Sequence, residues 1–301
     1  MQMSVLMLGR FLQGVGVCSL NVSTLSIIND RYEGSHRIHL LALINFGSTL
    51  SPMLGPVLGG YLFITLGWRA NFLIVFMIAL LAVGGLWQSL PKHKPTLVPM
   101  SFKEVILVYV GLSKNVEFMA NLLLYAALTS GVIAYLTGSA FVMIKQLQLA
   151  PELYGLLQLW IFGAGALGSL SVIAFIHYVN VKKIVAVGLS LVVVATLLLT
   201  FNSLLWSDSV RALIIPMMVY MLGLNLCSSS LLAAIMSSAE TTRSFAAAYV
   251  GFAAASGGAL SSYLVSLLYN NTTVSVAVVL LIIILLTYLI VHMLRHTLLP
   301  L

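Results

Sequence analysis

The hydrophobic pattern of this chain has almost no alternation. Apolar residues run in blocks of about twenty, broken by short polar punctuation, and a bilayer-crossing helix needs ~20 such residues. Nine blocks meet that length, at about 3–28, 38–64, 70–90, 117–142, 153–176, 184–202, 210–236, 245–269 and 273–294. Most connections between them are short. The exception is 91–116, PKHKPTLVPMSFKEVILVYVGLSKNV, a basic, proline-containing linker whose second half suits a helix lying on a membrane surface. It divides the chain into 1–90 (three spans), the linker 91–116, and 117–301 (six spans). The predicted fold class is all-α, a polytopic membrane protein of about nine spans.

Composition supports this reading. Of 301 residues, 61% are hydrophobic and 7% charged, against roughly 25% charged in a soluble domain. Mean hydropathy is +1.10. So few charges cannot cover a water-facing surface, and the expected surrounding is a lipid bilayer. In a soluble protein the net charge of +7 would suggest nucleic acid. In a membrane protein it belongs to loops and sets orientation, so no nucleic-acid partner is expected. Arg31, Arg37, Lys92, Lys94, Lys103, Lys114, Lys182, Lys183, Arg243 and Arg295 fall on one alternating set of loops and the C-terminal tail. Arg69, Lys145 and Arg211 fall on the other, ten against three. The positive-inside rule then puts the linker and C-terminus in the cytoplasm, of an inner membrane if bacterial, and Met1 outside.

One stretch stands apart. GSTLSPMLGPVLGG, Gly47 to Gly60, holds four glycines and two prolines inside an apolar run. Each glycine costs a helix ~1 kcal/mol and each proline ~3 kcal/mol. On a helix, Gly47, Ser51, Gly55 and Gly59 form one stripe, and Ser48, Pro52, Pro56 and Gly60 the adjacent one. A face with so little bulk predicts a seam of close helix packing, since helices in lipid associate through small residues. Ala247, Gly251, Ala255 and Ala259 repeat the spacing. Both stripes follow a loop with an acid and an arginine, NDRYEGSHR and SAETTRS. On this pattern the last three spans repeat the first three, helices 117–202 lack a counterpart, and three helices are expected ahead of Met1.

All seven acids lie in loops or at helix ends. Arg10 is the one charged residue inside a span. Spacing leaves two readings of it open: a functional charge in the bilayer, or a side chain snorkelling to the outer interface. Polar residues near the middle of spans, Asn45, Asn121, Tyr125, Tyr135, Gln158 and Asn225, are candidates for lining a substrate cavity, with Asn121 and Tyr125 one turn apart as the lead pair. For each, a hydrogen bond to a neighbouring helix is the competing reading. His36 with His39, and His292 with His296, have helical spacing but lack Cys or carboxylate partners, so no metal is expected. No motif nominates a nucleophile, a phosphate loop or a cofactor, so the chain is not expected to be an enzyme.

Four motifs carry a family resemblance. Gly55-Pro56-x-x-Gly59-Gly60 resembles the antiporter signature in the fifth helix of major facilitator drug exporters. Arg10-Phe-Leu-Gln13-Gly14-Val-Gly16 resembles the fourth-helix RxxQGxG motif. GWRANF, 67–72, follows as between the fifth and sixth helices, and YLTGSAFVMIKQLQLAPELYGLL, 135–157, resembles the seventh-to-eighth-helix region of the Bcr/CflA subfamily. The resemblance covers the chain as helices four to twelve of twelve. It implies export of small hydrophobic drugs in exchange for protons by alternating access. Arg10, Gln13 and Gly14 would belong to the proton-coupling motif, whose partner carboxylate in this family sits on the first helix. A non-transporting fragment, or a metabolite exporter of the same superfamily, is the alternative.

Overall fold

The computed structural model describes residues 3–89, 101–205, 209–239, 242–269 and 272–294. These are helical nearly throughout: α1 (Met3–Arg31), α2 (Gly34–Leu66), α3 (Trp68–Ser89), α4 (Phe102–Lys114), α5 (Val116–Ala140), α6 (Pro151–Phe175), α7 (Val181–Leu205), α8 (Val210–Ser237), α9 (Arg243–Leu267) and α10 (Val274–Leu294). A π-helical turn, Phe141–Gln146, extends α5. No strand occurs among the described residues. Eight helices there are long and apolar enough to cross a bilayer, all but α4 and α10; the apolar stretch of α10, Val274–Ile290, is shorter. The chain is thus an all-α, polytopic membrane protein. Each blocklike apolar run became one helix, because in hydrocarbon only a helix satisfies its own backbone groups.

The second half of the linker is not extended chain. Ser101 caps α4 by accepting from the Glu104 amide, and Glu104 accepts from the Ser101 amide in return, a capping box. Asn115 then ends α4 and starts α5: its backbone is extended, its Oδ1 accepts from the Phe118 amide, and its Nδ2 donates to the Ser238 carbonyl. Below, the end of the molecule that carries this corner is called the linker end, and the opposite one the far end.

The core is built around α8. Gly188 of α7 and Gly223 of α8 let the two backbones touch: a Cβ at Gly188 would stand 2.7 Å from the Gly223 carbonyl, and one at Gly223 2.6 Å from that of Gly188. Gly168 of α6 meets the Leu222 carbonyl in the same way, at 2.6 Å. Gly131 of α5 leaves room for the ring of Tyr220, whose buried hydroxyl donates to the Leu128 carbonyl at 2.8 Å. Pro216 interrupts the α8 ladder and frees the Ala212 carbonyl, to which Asn202 Nδ2 of α7 donates at 3.3 Å.

Burial of the first three helices is lopsided. In α2 the described buried side chains run from Arg37 to Thr49, and no described side chain of α2 after Thr49 is buried. In α1 none of the described side chains from Val5 to Asn21 is buried, while Val22, Leu25 and Ile28 pack on a core formed by the linker-end turns of α2, α4, α5, α6, α7, α8 and α9. No described side chain of α3 is buried, and α3 is tied to α2 by Asn71 Nδ2 donating to the Gly59 carbonyl at 3.2 Å. The first three helices are therefore held to the others from the linker end to about mid-span, where Thr49 and Met53 of α2 face Gly165 and Gly163 of α6.

Candidate functional site

Among the described residues no close packing is found along the Gly47, Ser51 and Gly55 stripe of α2. α2 runs unbroken through Pro52 and Pro56. Gly47, Ser51 and Gly55 are exposed, and a Cβ at Gly47 or Gly55 would meet nothing within 4 Å. Gly59 has Asn71 Oδ1 at 3.9 Å, and Pro52 is half-buried. The surroundings of Pro56 and Gly60 lie outside the described residues. Two things differ: Gly47, Ser51 and Gly55 lie on a face turned away from the buried Ile38, Leu41, Ala42 and Thr49, and beyond Thr49 no described side chain of α2 is buried on any face. In the repeat on α9, Ala247 is buried, Gly251 is exposed with open space around it, and Ala255 and Ala259 border a groove. In the arginine motif, Gln13 and Gly14 are exposed on α1. The Arg10 side chain lies outside the described residues.

Most of the polar candidates do not line a cavity either. Asn45 ties α2 to α8, its Nδ2 donating to Ser228 Oγ at 2.8 Å and Ser229 Oγ at 3.0 Å. Asn225 is buried; its Oδ1 lies 3.1 Å from the Ser169 hydroxyl of α6 and 3.3 Å from the Thr49 hydroxyl of α2, and its Nδ2 donates to the Met221 carbonyl. Tyr135 and Gln158 are buried against each other, with Gln158 Nε2 donating to the tyrosine oxygen at 2.9 Å. Asn121 is fully buried and donates to the Glu117 carbonyl, while its Oδ1 finds no donor among the described residues. In a dry interior each polar atom costs free energy until it is paired, so Asn45, Asn225, Tyr135 and Gln158 went to neighbouring helices, while Asn121 turned to a carbonyl of its own helix.

Two arrangements result. The first is a polar clamp across the two groups of helices: Asn45 and Thr49 on α2, Ser228, Ser229 and Asn225 on α8, and Ser169 on α6. Nearer the linker end Ser26 of α1 adds a hydroxyl pair with Ser244 of α9 at 2.8 Å. Thr49, Ser169, Ser228, Ser229, Ser26 and Ser244 carry no motif, and only their positions against neighbouring helices reveal them. The second is a groove of about 540 Å³ between α5 and α9, bordered by Tyr125, Thr129, Ile133, Ala254, Ala255, Gly258, Ala259 and Ser262. Tyr125 is the one cavity candidate that reaches it. Small α9 side chains leave its space; Thr137 donating to Ser262, and Ser261 to the Ser130 carbonyl, hold its walls together. The volume falls within the range of small-molecule sites, ~300–1,000 Å³.

At the linker end the rings of His36 and His39 stand 5.7 and 6.1 Å from that of His177. Among the described residues no group of three or more His, Cys, Asp or Glu is placed to hold a metal; the side chains of His292 and His296 lie outside them. Arg37, a loop cation by sequence, is buried in the first turns of α2.

Comparison with known proteins decides the family. The Major Facilitator Superfamily model matches residues 2–262. The chain belongs to the major facilitator superfamily. A chloramphenicol resistance protein, CraA, of Acinetobacter baumannii is 26% identical over 234 residues, 78% of this chain and 57% of the relative. The multidrug transporter MdfA of Yersinia pestis is 22% identical over 235 residues, 78% of this chain and 58% of that protein. MdfA of Escherichia coli O157:H7 is 24% identical, with 78% and 57% covered. The chain spans under three fifths of the length of these relatives. It is therefore a multi-span membrane protein of a transporter superfamily, with drug exporters among its relatives.

Proposed function

We propose that this chain forms the greater part of a drug:proton antiporter of the Bcr/CflA type, its nine apolar helices corresponding to the last nine of twelve. The three units read from the sequence are kept: 1–90 and 117–301 as two bundles, with 91–116 as the cytoplasmic linker of an inner-membrane protein. The observation that carries the reading is the asymmetry of contact between the bundles. They meet from the linker end to mid-span, where the clamp lies, and no described side chain of α2 beyond Thr49 is buried, an asymmetry that alternating access requires of one of its two states. With the linker end cytoplasmic by the loop charges, this state faces outward. Small hydrophobic compounds would occupy the α5–α9 groove, with Tyr125 supplying a polar edge. Arg10, Gln13 and Gly14 would serve proton coupling, and the 47–60 stripe would pack against helices outside this chain. A second reading has its own support in the span of under three fifths of the relatives: a fragment that inserts but does not transport.

The test is expression of this chain in a pump-deficient bacterium, alone and together with the three helices read from any upstream DNA. Raised chloramphenicol tolerance, abolished by Ala255→Leu in the groove and by a protonophore, supports antiport. Tolerance at the empty-vector level in both arms refutes the export reading. Tolerance only with the added helices identifies the chain as an incomplete piece.

A further inference from the structure

We infer that α4 is an in-plane anchor that seats two lysines on the anionic headgroups of the bilayer. Its residues divide into two faces. Leu112 is buried, and Val105, Val108 and Tyr109 are half-buried. Tyr109 packs edge-on to Phe245 and Tyr249 at 5.6 and 5.8 Å between ring centres, and Ser113 bonds to the Tyr249 hydroxyl at 2.9 Å. Phe245 and Tyr249 lie in the first two turns of α9. α4 is thus beside the flank of a span, not beyond its end, and what lies beside a span is bilayer.

The other face is open and apolar. Phe102 is 81% exposed, Leu107 58%, Ile106 46% and Val110 44%. At 100° per residue these four fall within one 140° arc, and Lys103 and Lys114 fall inside the same arc, one near each end of the helix. The helix's carboxylate, Glu104, points elsewhere: it lies outside the arc and is held on the Ser101 amide at 2.6 Å. Ser113, bonded to Tyr249, marks one edge of this arc, and the two lysines are the charges within it; such a face puts its apolar side chains into the headgroup and acyl boundary while the ammonium groups reach to phosphate. The chain enters the α5 span at Val116, two residues after Lys114, which sets α4 at that depth. Each lysine near an anionic surface is worth about a fivefold preference over a neutral one. The inference does not depend on what the protein transports.

Nitroxide labels at Ile106, Val110 and, in water, Lys182 of the Cys18→Ser chain in lipid nanodiscs provide the test. Collisions with oxygen and with a nickel chelate are measured in neutral phosphatidylcholine and with 30% phosphatidylglycerol. The expected result is oxygen-favoured collision at 106 and 110, nickel-favoured at 182, and deeper seating in the anionic discs. Lys103→Gln with Lys114→Gln, both exposed and remote from the packed face, should abolish the lipid dependence and leave the depth in neutral discs. Nickel-favoured collision at 106 and 110 overturns the anchor. So does low collision with both reagents, which would mean that polypeptide covers the face. Equal depth in the two lipids overturns the anionic assignment.

Discussion

Replacing Asn45 with leucine removes the two side-chain bonds that join α2 to Ser228 and Ser229 of α8 and keeps the branched outline of the side chain. Interhelical hydrogen bonds inside membrane proteins average ~0.6 kcal/mol, with a ceiling near ~1.7 kcal/mol, because the parted helices find other partners. Ser228 and Ser229 can turn back to carbonyls of α8, which argues for the average. Two bonds then give about 1.2 kcal/mol, roughly an eightfold shift toward a parted linker end. The assay is the distance distribution between spin labels at Tyr32 and Lys183, both exposed at that end, in the Cys18→Ser background in nanodiscs. Asn45→Leu should enlarge the long-distance population about eightfold relative to the parent. Thr49→Val, which loses a longer contact of 3.3 Å to Asn225, should move it by less than threefold. An unchanged distribution in Asn45→Leu would sink the clamp and leave the Asn45 contacts as static packing.

Two further substitutions separate packed from unpacked positions. Gly188→Ala drives a methyl into the Gly223 carbonyl at 2.7 Å and should cost about 1–3 kcal/mol in denaturant unfolding. Gly47→Ala and Gly55→Ala, with nothing within 4 Å, should be neutral or stabilise by up to about 1 kcal/mol through helix propensity; the reverse ranking would show that the 47–60 stripe is buried. Asn202→Leu strands the Ala212 carbonyl that Pro216 frees and should lower stability by about 1 kcal/mol, with the Tyr32–Lys183 distances unaltered because both partners lie within the second group of helices.

The spans were legible because length alone decides them: twenty apolar residues in lipid have one low-energy conformation. Rotation about each helix axis was not. In a soluble helix the polar face marks the outside, but here both faces of α2 are apolar, so its stripe of small residues carries no label saying whether a neighbour meets it. Of the glycines that do bring backbones together, Gly188 and Gly223 sit singly in their helices and Gly168 is one of four in α6, and their significance comes from residues far away in sequence. Polar side chains raised the same difficulty. Asn225 and Tyr125 look alike on paper, each a mid-span polar group, yet one meets Ser169 and Thr49 while the other borders the groove.

That division of the polar groups constrains what the groove can recognise. Thr129 spends its proton on backbone carbonyls of its own helix, and Ser262 receives the Thr137 hydroxyl. The Tyr125 hydroxyl makes no hydrogen bond among the described residues, and Ser262 as an acceptor keeps its own proton, so these two hydroxyls are the polar contacts left for a ligand; the other walls are methyl and methylene surface from Ile133, Ala254, Ala255 and Ala259. A pocket of that kind selects by size. Adding or removing one methylene changes binding by roughly 10- to 200-fold, and a hydrophobic wall rejects an added hydroxyl weakly. A site with several committed donors would behave oppositely, losing far more when a ligand polar group is deleted, because its own groups would then be left unpaired. Across a series of aromatic amides in a competition-binding assay on the membrane-embedded chain, affinity should therefore track ligand volume, and deleting a hydroxyl should change it less than tenfold. Tyr125→Phe should abolish even that difference. A loss of a hundredfold or more on deleting one ligand hydroxyl would mean that recognition lies with polar groups outside this groove.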